Sequence, residues 1–311
     1  MTDLMRDELG APKIVDRATF QAELDVLRVR EKAHTHEGDA IAAARRRLSM
    51  VEVDPTIKLV GPHGPVTLLD AFEGRRILIA YYFMWNTGKP APEQCEGCTW
   101  VTSQVHELSY IHSRDVTYAT FCQGPYEESA RYHDFMGWEM PWYSAQDSLD
   151  TLLVGRRVGM MHIVCYLRQG SNVFETYWTT IRGVEAMDNN YRLLDLTVYG
   201  RQETWEDSPP GWPQGDIIDT VRTNGRPTSQ WSRLKAGPFG RPGNRQALNR
   251  AYQHLDLVPK GATKTLCLLP CHGFAITIFE RTSSRLVADH SRDDFGPEPV
   301  RKLIAYFSRC R

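Results

Sequence analysis

The sequence predicts an α/β fold: a mixed sheet with helices on both faces, an N-terminal helical arm and an irregular C-terminal extension. Three observations predict it. Residues 76–85, RILIAYYFMW, form a nearly unbroken apolar and aromatic run of strand formers, the pattern of a strand buried on both faces. Val101, Val105, Leu108 and Ile111 then recur at helical spacing before a second strand, residues 115–121. Strand, helix, strand implies a right-handed crossover between parallel strands. Finally, MHIVCYLR (161–168) and NVFETYWT (172–179) flank Gln169, Gly170 and Ser171, which reads as a β-hairpin.

The remaining elements follow in chain order. Residues 17–50 read as helix, with Phe20, Leu24, Leu27 and Ile41 through Leu48 on either side of a polar break near His34–Gly38. Such an amphipathic arm is expected to lie against something larger. Residues 57–60 and 66–69 read as two short strands around a Gly/Pro turn. Residues 126–137 form a helix ending at Gly137, followed by a short aromatic segment at Trp142 and Tyr143 leading into polar turn residues. Val184–Leu194 is a further helix. The order β-α-β-α, hairpin, α gives a mixed sheet covered by helices.

The expected organisation is a helical arm over 1–50, an α/β domain over 51–200, a Trp/Pro-rich wrapping segment over 201–236 and an extension over 237–311. GPFGRPG (237–243) reads as a linker. Beyond it come a helix near 246–255, an apolar stretch over 265–279 and a last amphipathic helix carrying Val300, Leu303, Ile304 and Phe307.

Composition excludes several classes of function. The 311 residues are 41% hydrophobic and 24% charged with a formal net charge of −1, so no broad nucleic-acid footprint is expected. The one dense basic cluster, Arg45–Arg47, ends a helix, where cations suit the dipole. No stretch approaches the roughly 20 apolar residues that span a bilayer. The acidic N-terminus, MTDLMRDELG, lacks the features of a signal peptide, which leads to an expected cytoplasmic location. Seven cysteines at irregular spacing are not a secreted disulfide framework.

Two of those cysteines carry the functional reading. In EQCEGCT (93–99), Cys95 and Cys98 stand three apart between a buried strand and a helix. Free amides at a helix start favour a thiolate over a thiol. Cys95, nearer solvent, is then the nucleophile and Cys98 the resolving thiol. Glu93 and Glu96 oppose this, because nearby carboxylates raise a thiol's pKa by an amount comparable with the helix-end effect. A C-x-x-C within a βαβ unit points to thioredoxin-like thiol-disulfide chemistry, with no bound cofactor and a small-molecule or protein thiol or disulfide as partner.

Two alternatives stay open. One is a non-catalytic binding protein that uses an aromatic rim. The other is a zinc site, which would need two more ligands; Cys267, Cys271 and His272 are the nearest alternative set. Cys122 and Cys165 read as core. Trp85, Tyr177, Trp178 and Arg182 lie at strand ends and are the candidate substrate-binding residues; His106 and His112 read as surface positions.

Several blocks in order resemble a bacterial thioredoxin-like family, domain-of-unknown-function family 899, related to the alkyl hydroperoxide reductase and thiol-specific antioxidant group. They are RRLSMV (46–51), GPHGPVTLLD (61–70), FEGRR (72–76), QCEGCT (94–99), RDVTYATF (114–121), TYWTTIRG (176–183) and LLDLTVYGRQE (193–203). The resemblance covers roughly residues 15–235 and implies a thioredoxin-like fold and a thiol-dependent activity. It also implies departures. Thioredoxins place an aromatic residue directly before the first cysteine, whereas a long loop separates Trp85 from Cys95. No proline stands near Met160–Met161, where thioredoxins carry a cis-proline. Pro92 occupies the position at which peroxiredoxins usually carry threonine. The chain beyond Gly237 lies outside the resemblance.

Overall fold

A computed structural model describes residues 10–217 and 221–234, together with the backbone of two strands, Ile278–Thr282 and Arg285–Asp289. The chain divides into two compact units, Met1–Gly237 and Pro238–Arg311. In the second, the two strands pair antiparallel. The expected linker, the helices near 246–255 and 300–307 and all of the apolar stretch before Ile278 lie outside the described residues, as do Cys267, Cys271, His272 and Cys310.

The first unit is built on an eight-stranded mixed sheet. Its strands are β1 (Val51–Val53), β2 (Lys58–Gly61), β3 (Gly64–Thr67), β4 (Ile77–Phe83), β5 (Val116–Cys122), β6 (Trp142–Ser144), β7 (His162–Gln169) and β8 (Asn172–Thr180), in the spatial order β1-β8-β7-β4-β5-β6-β2-β3. β4, β5 and β6 are parallel, and β7 returns antiparallel on the other side of β4. Parallel central strands with a flanking antiparallel hairpin, and a cysteine pair opening the first crossover helix, make the fold thioredoxin-like.

Five helices accompany the sheet: α2 (Glu96–Thr102), α3 (Ser109–His112), α4 (Tyr126–Met136), α5 (Leu149–Leu152) and α6 (Asn189–Leu194). The path β4 to β5 to β6 runs one way across the sheet, so same-handed crossovers put their helices on one face. That face buries Tyr81, Phe83, Cys98, Val101, Tyr118, Cys122, Tyr132 and Met136. The opposite face buries Leu78, Ala80, Tyr82, Phe121, Val164 and Tyr166 beneath α5 and a 3-10 turn at Asp70–Phe72. Both faces of β4 are thus covered, which is why its sequence does not alternate in polarity. α4 stops at Gly137, whose φ of 62° is the left-handed conformation glycine adopts without strain.

The structure corrects several expectations. The arm is one unbroken helix, α1 (Arg17–Arg45), with no break at His34–Gly38 and no buried residue. Asp16 caps it by accepting from the Ala18 and Thr19 amides, and a single internal glycine costs only about 1 kcal/mol against alanine. The helix expected from Cys98 to Ile111 is two, α2 and α3. Its β-branched residues hold a helix weakly, and Ser103 closes α2 by returning its hydroxyl to the Thr99 carbonyl at 2.7 Å. Trp142 and Tyr143 lead into a turn at Gln146–Ser148 as expected, but they also form a strand, because β6 pairs with β5. The helix at 184–194 is a 3-10 segment, Ile181–Met187, followed by α6. Asp188 separates them by accepting from the Tyr191 amide at 3.1 Å. β1, unrecognised in the sequence, extends the sheet beyond β8. Among the described residues no helix is long and apolar enough to cross a membrane.

Candidate functional site

The cysteine pair lies where β4 ends and α2 begins. Cys95 is the N-cap of α2, half-buried, and its Sγ accepts from the Cys98 amide at 3.4 Å. Cys98 is fully buried, and its Sγ in turn accepts from the Met84 amide at the end of β4, also at 3.4 Å. Both are free thiols.

The two thiols are differentiated. A hydrogen bond from the Cys98 thiol, with smaller contributions from the Cys98 and Gly97 amides, lowers the Cys95 pKa against the opposing effects of burial and the Glu96 charge. Burial pushes Cys98 well above the ordinary thiol range, and so does its hydrogen bond to Cys95. The arrangement therefore favours a thiolate on the outer sulfur and a proton on the inner one. Because α2 has only seven residues, aimed amides and a neighbouring thiol do this, rather than a long helix dipole.

The flanking glutamates are answered by cations. Glu93 approaches the Lys89 ammonium at 3.5 Å in an exposed pair of little energetic weight. Glu96 pairs with the Arg222 guanidinium at 2.8 Å, and both side chains are about three-quarters buried. Arg222 sits on a small hairpin, β9 (Arg222–Thr223) with β10 (Arg226–Pro227), in the segment expected to wrap the domain. It also donates to the Pro92 carbonyl at 2.7 Å and the Gln94 carbonyl at 3.1 Å. One side chain thus fixes the loop on both sides of Glu93 and holds Glu96 next to Cys95.

Buried polar side chains complete the frame. Gln94 is fully buried; its amide group closes the 86–94 loop through the Asn86 amide and the Asn86 and Lys89 carbonyls. Gln230, also fully buried, donates to the Ala91 carbonyl at 2.7 Å and the Tyr132 hydroxyl at 2.6 Å. The Tyr132 hydroxyl is 2.7 Å from the Thr99 hydroxyl, and Thr99 donates to the Cys95 carbonyl at 2.7 Å. The C-terminal segment is therefore bonded to the cysteine turn by a continuous chain of hydrogen bonds.

The other expected site residues are dispersed. Trp85 comes to the cysteine loop: it packs on the same core cluster as Cys95, and its indole N–H donates to Glu128 at 3.1 Å, which also accepts from the Gly88 amide. Tyr177 and Trp178 do not form one rim. An irregularity in the β7–β8 register leaves Thr176 unpaired, so Tyr177 opposes Cys165 on the cysteine face. Trp178 turns to the opposite face, against His162 and Arg156. Arg182 stacks on Trp205 at 4.4 Å and pairs with Glu185.

Cys122 is buried, while Cys165 is half-buried. Among the described residues no group of three or more His, Cys, Asp or Glu side chains is placed to hold a metal ion. Arg222, Gln94, Gln230 and Tyr132 were not legible as site residues. Arg222, Gln230 and Tyr132 act through contacts with residues distant in sequence, and Gln94 through the closure of its own loop, neither of which leaves a recognisable pattern.

A family model described as a bacterial protein of unknown function, DUF899, matches residues 9–236. No curated protein matches the chain. Among solved structures, a Chlorobium tepidum protein assigned as thiol:disulfide interchange protein DsbE is similar at 15% identity and a TM-score of 0.32, over 45% of this chain and 93% of that one. A cysteine-to-serine mutant of peroxiredoxin Q from Xanthomonas campestris is similar at 13% identity and a TM-score of 0.30, over 43% and 88% of the two chains.

Proposed function

The chain belongs to the bacterial DUF899 family, and we propose that it is a thiol-disulfide oxidoreductase in which Cys95 and Cys98 cycle between dithiol and disulfide. The observation that carries this reading is the asymmetry of the pair. The half-buried sulfur collects hydrogen bonds that favour its thiolate, and the buried sulfur three residues on donates to it.

In the reductive direction the Cys95 thiolate attacks one sulfur of a substrate disulfide, forming a mixed disulfide and releasing the first substrate thiolate, which takes a proton from solvent. Cys98 then loses its proton and attacks the Cys95 sulfur. The Cys95–Cys98 bond forms as the second substrate thiolate leaves. Two electrons pass to the substrate, and an external dithiol restores the pair by the same exchange in reverse. A thiolate on the outer sulfur supports the first step. A protonated, sequestered Cys98 keeps the resolving thiol from competing for substrate before the mixed disulfide forms.

The test is direct. Purified protein treated with a mild disulfide oxidant should lose two thiols and acquire a 95–98 linkage detectable by peptide mass. Retention of both thiols under those conditions, with the fold intact, overturns the reading.

A further inference from the structure

A second feature of the cysteine face is a cavity of about 670 Å³ whose lining includes neither Cys95 nor Cys98. We propose that this cavity, bounded by β7 and β8, the 104–107 connection and the 181–187 turn, binds a small amphipathic anion: an aromatic or branched apolar body bearing one carboxylate or sulfonate.

Its size falls within the roughly 300–1,000 Å³ of small-molecule sites. Ile79, Tyr118, Ile163 and Met187 form its apolar wall, with Val105 and Ile111 above them. Two features of the backbone open it on this side. The irregularity at Thr176 turns Tyr177 and Thr179 into the cavity. Gly183 brings the 181–187 turn so near β8 that a Cβ there would stand 1.7 Å from the Thr179 hydroxyl.

The charge at the mouth selects an anion. Arg45, at the last turn of α1, lays its guanidinium over the Tyr177 ring at 5.1 Å. Among the described residues that guanidinium has no ion pair and no hydrogen bond, so its donors are open to a ligand. The other ionisable groups of the rim are His106 and Glu107. Glu107 keeps its negative charge but is turned to the Ser109 amide at 2.7 Å, so Arg45 is the rim group that offers charged donors to a ligand. Cys165 in the wall is held protonated by burial, its pKa pushed up to about 11, so it offers a neutral, polarisable contact. A planar cation beside an aromatic ring, above an apolar chamber, fits a carboxylate or sulfonate on an apolar body.

The experiment titrates the full chain with two probes, anionic 1-anilinonaphthalene-8-sulfonate and neutral N-phenyl-1-naphthylamine, following fluorescence below the melting transition. Saturable binding of both is expected. Arg45→Gln should weaken the sulfonate about tenfold or more, as loss of a hydrogen bond to a charged group does, and leave the neutral probe unchanged. Val105→Trp should abolish both by filling the chamber. Ala186→Trp, at an exposed position on the rim, should weaken both and keeps the test open if Val105→Trp misfolds. Non-saturable binding, indifference to both tryptophan substitutions, or equal effects of Arg45→Gln on the two probes overturns the proposal.

Discussion

Arg222 reaches across 126 residues of sequence to place its guanidinium 2.8 Å from the Glu96 carboxylate, next to Cys95. The pair joins two properties of the site. It offsets the charge that most directly opposes a Cys95 thiolate, and it ties the C-terminal hairpin to the loop carrying the nucleophile. Arg222→Gln should therefore raise the Cys95 pKa and slow alkylation by iodoacetamide at pH 7 about three- to tenfold, the effect of roughly 1 kcal/mol of uncompensated charge. Glu96→Gln should move the rate the other way, and the double substitution should return it toward wild type. Identical pH–rate profiles for all three variants would exclude the electrostatic role.

Removing the inner thiol separates its two roles. Cys98→Ala deletes the hydrogen bond that most lowers the Cys95 pKa, so alkylation of Cys95 at neutral pH should slow by about tenfold per pKa unit gained. The same variant should accumulate a stable mixed disulfide with a small aromatic disulfide, visible as a single adduct by intact mass. Cys95→Ser should form none. An adduct on Cys95→Ser would assign the nucleophile elsewhere.

Alkaline pH should destabilise the fold through Cys122. Burial pushes its pKa up to about 12, while an unfolded thiol titrates near about 8.5. Between those values the native state keeps a proton that the unfolded chain has lost. Cys122's contribution is thus complete below about pH 8.5 and falls by about 1.4 kcal/mol per pH unit above it. Cys122→Ala should flatten the decline in urea midpoint between pH 8.5 and 10 relative to wild type. Parallel curves for the two proteins would show that Cys122 does not titrate in this way.

Gly124 leaves room for an indole. A Cβ at that position would lie 1.9 Å from Trp85 Cδ1. Gly124→Ala must displace Trp85 from Glu128 and from the loop leading to Cys95. The expected cost is about 1–3 kcal/mol, typical of overpacking, with a shift in tryptophan emission. An unchanged melting temperature and spectrum would mean that the ring moves without penalty.

Much of the sheet was readable because its signals are local. The β4 run is apolar throughout since both faces are covered, and the Gly137 stop and the 169–171 hairpin turn are encoded within a few residues. Helix continuity was less readable. Val101, Val105, Leu108 and Ile111 have helical spacing, yet they bury their side chains from two short helices and a connection. Periodicity records which side chains face the core, not whether the hydrogen-bond ladder between them is unbroken.

The site divides along the same line. Local pattern placed Cys95 and Cys98 at the junction of a buried strand and a helix start, and also showed the glutamates opposing them. Tyr177 and Trp178 lie on opposite faces because neighbouring strand residues alternate, and the unpaired Thr176 decides that Tyr177 is the one on the cysteine face. By itself the sequence determined the central strands, the first crossover and the position of the cysteine pair, because each follows from the polarity of neighbouring residues. Tertiary structure decided which cation meets Glu96 and where Arg45 lies. Those depend on contacts closed across the chain, whose partners share no local pattern.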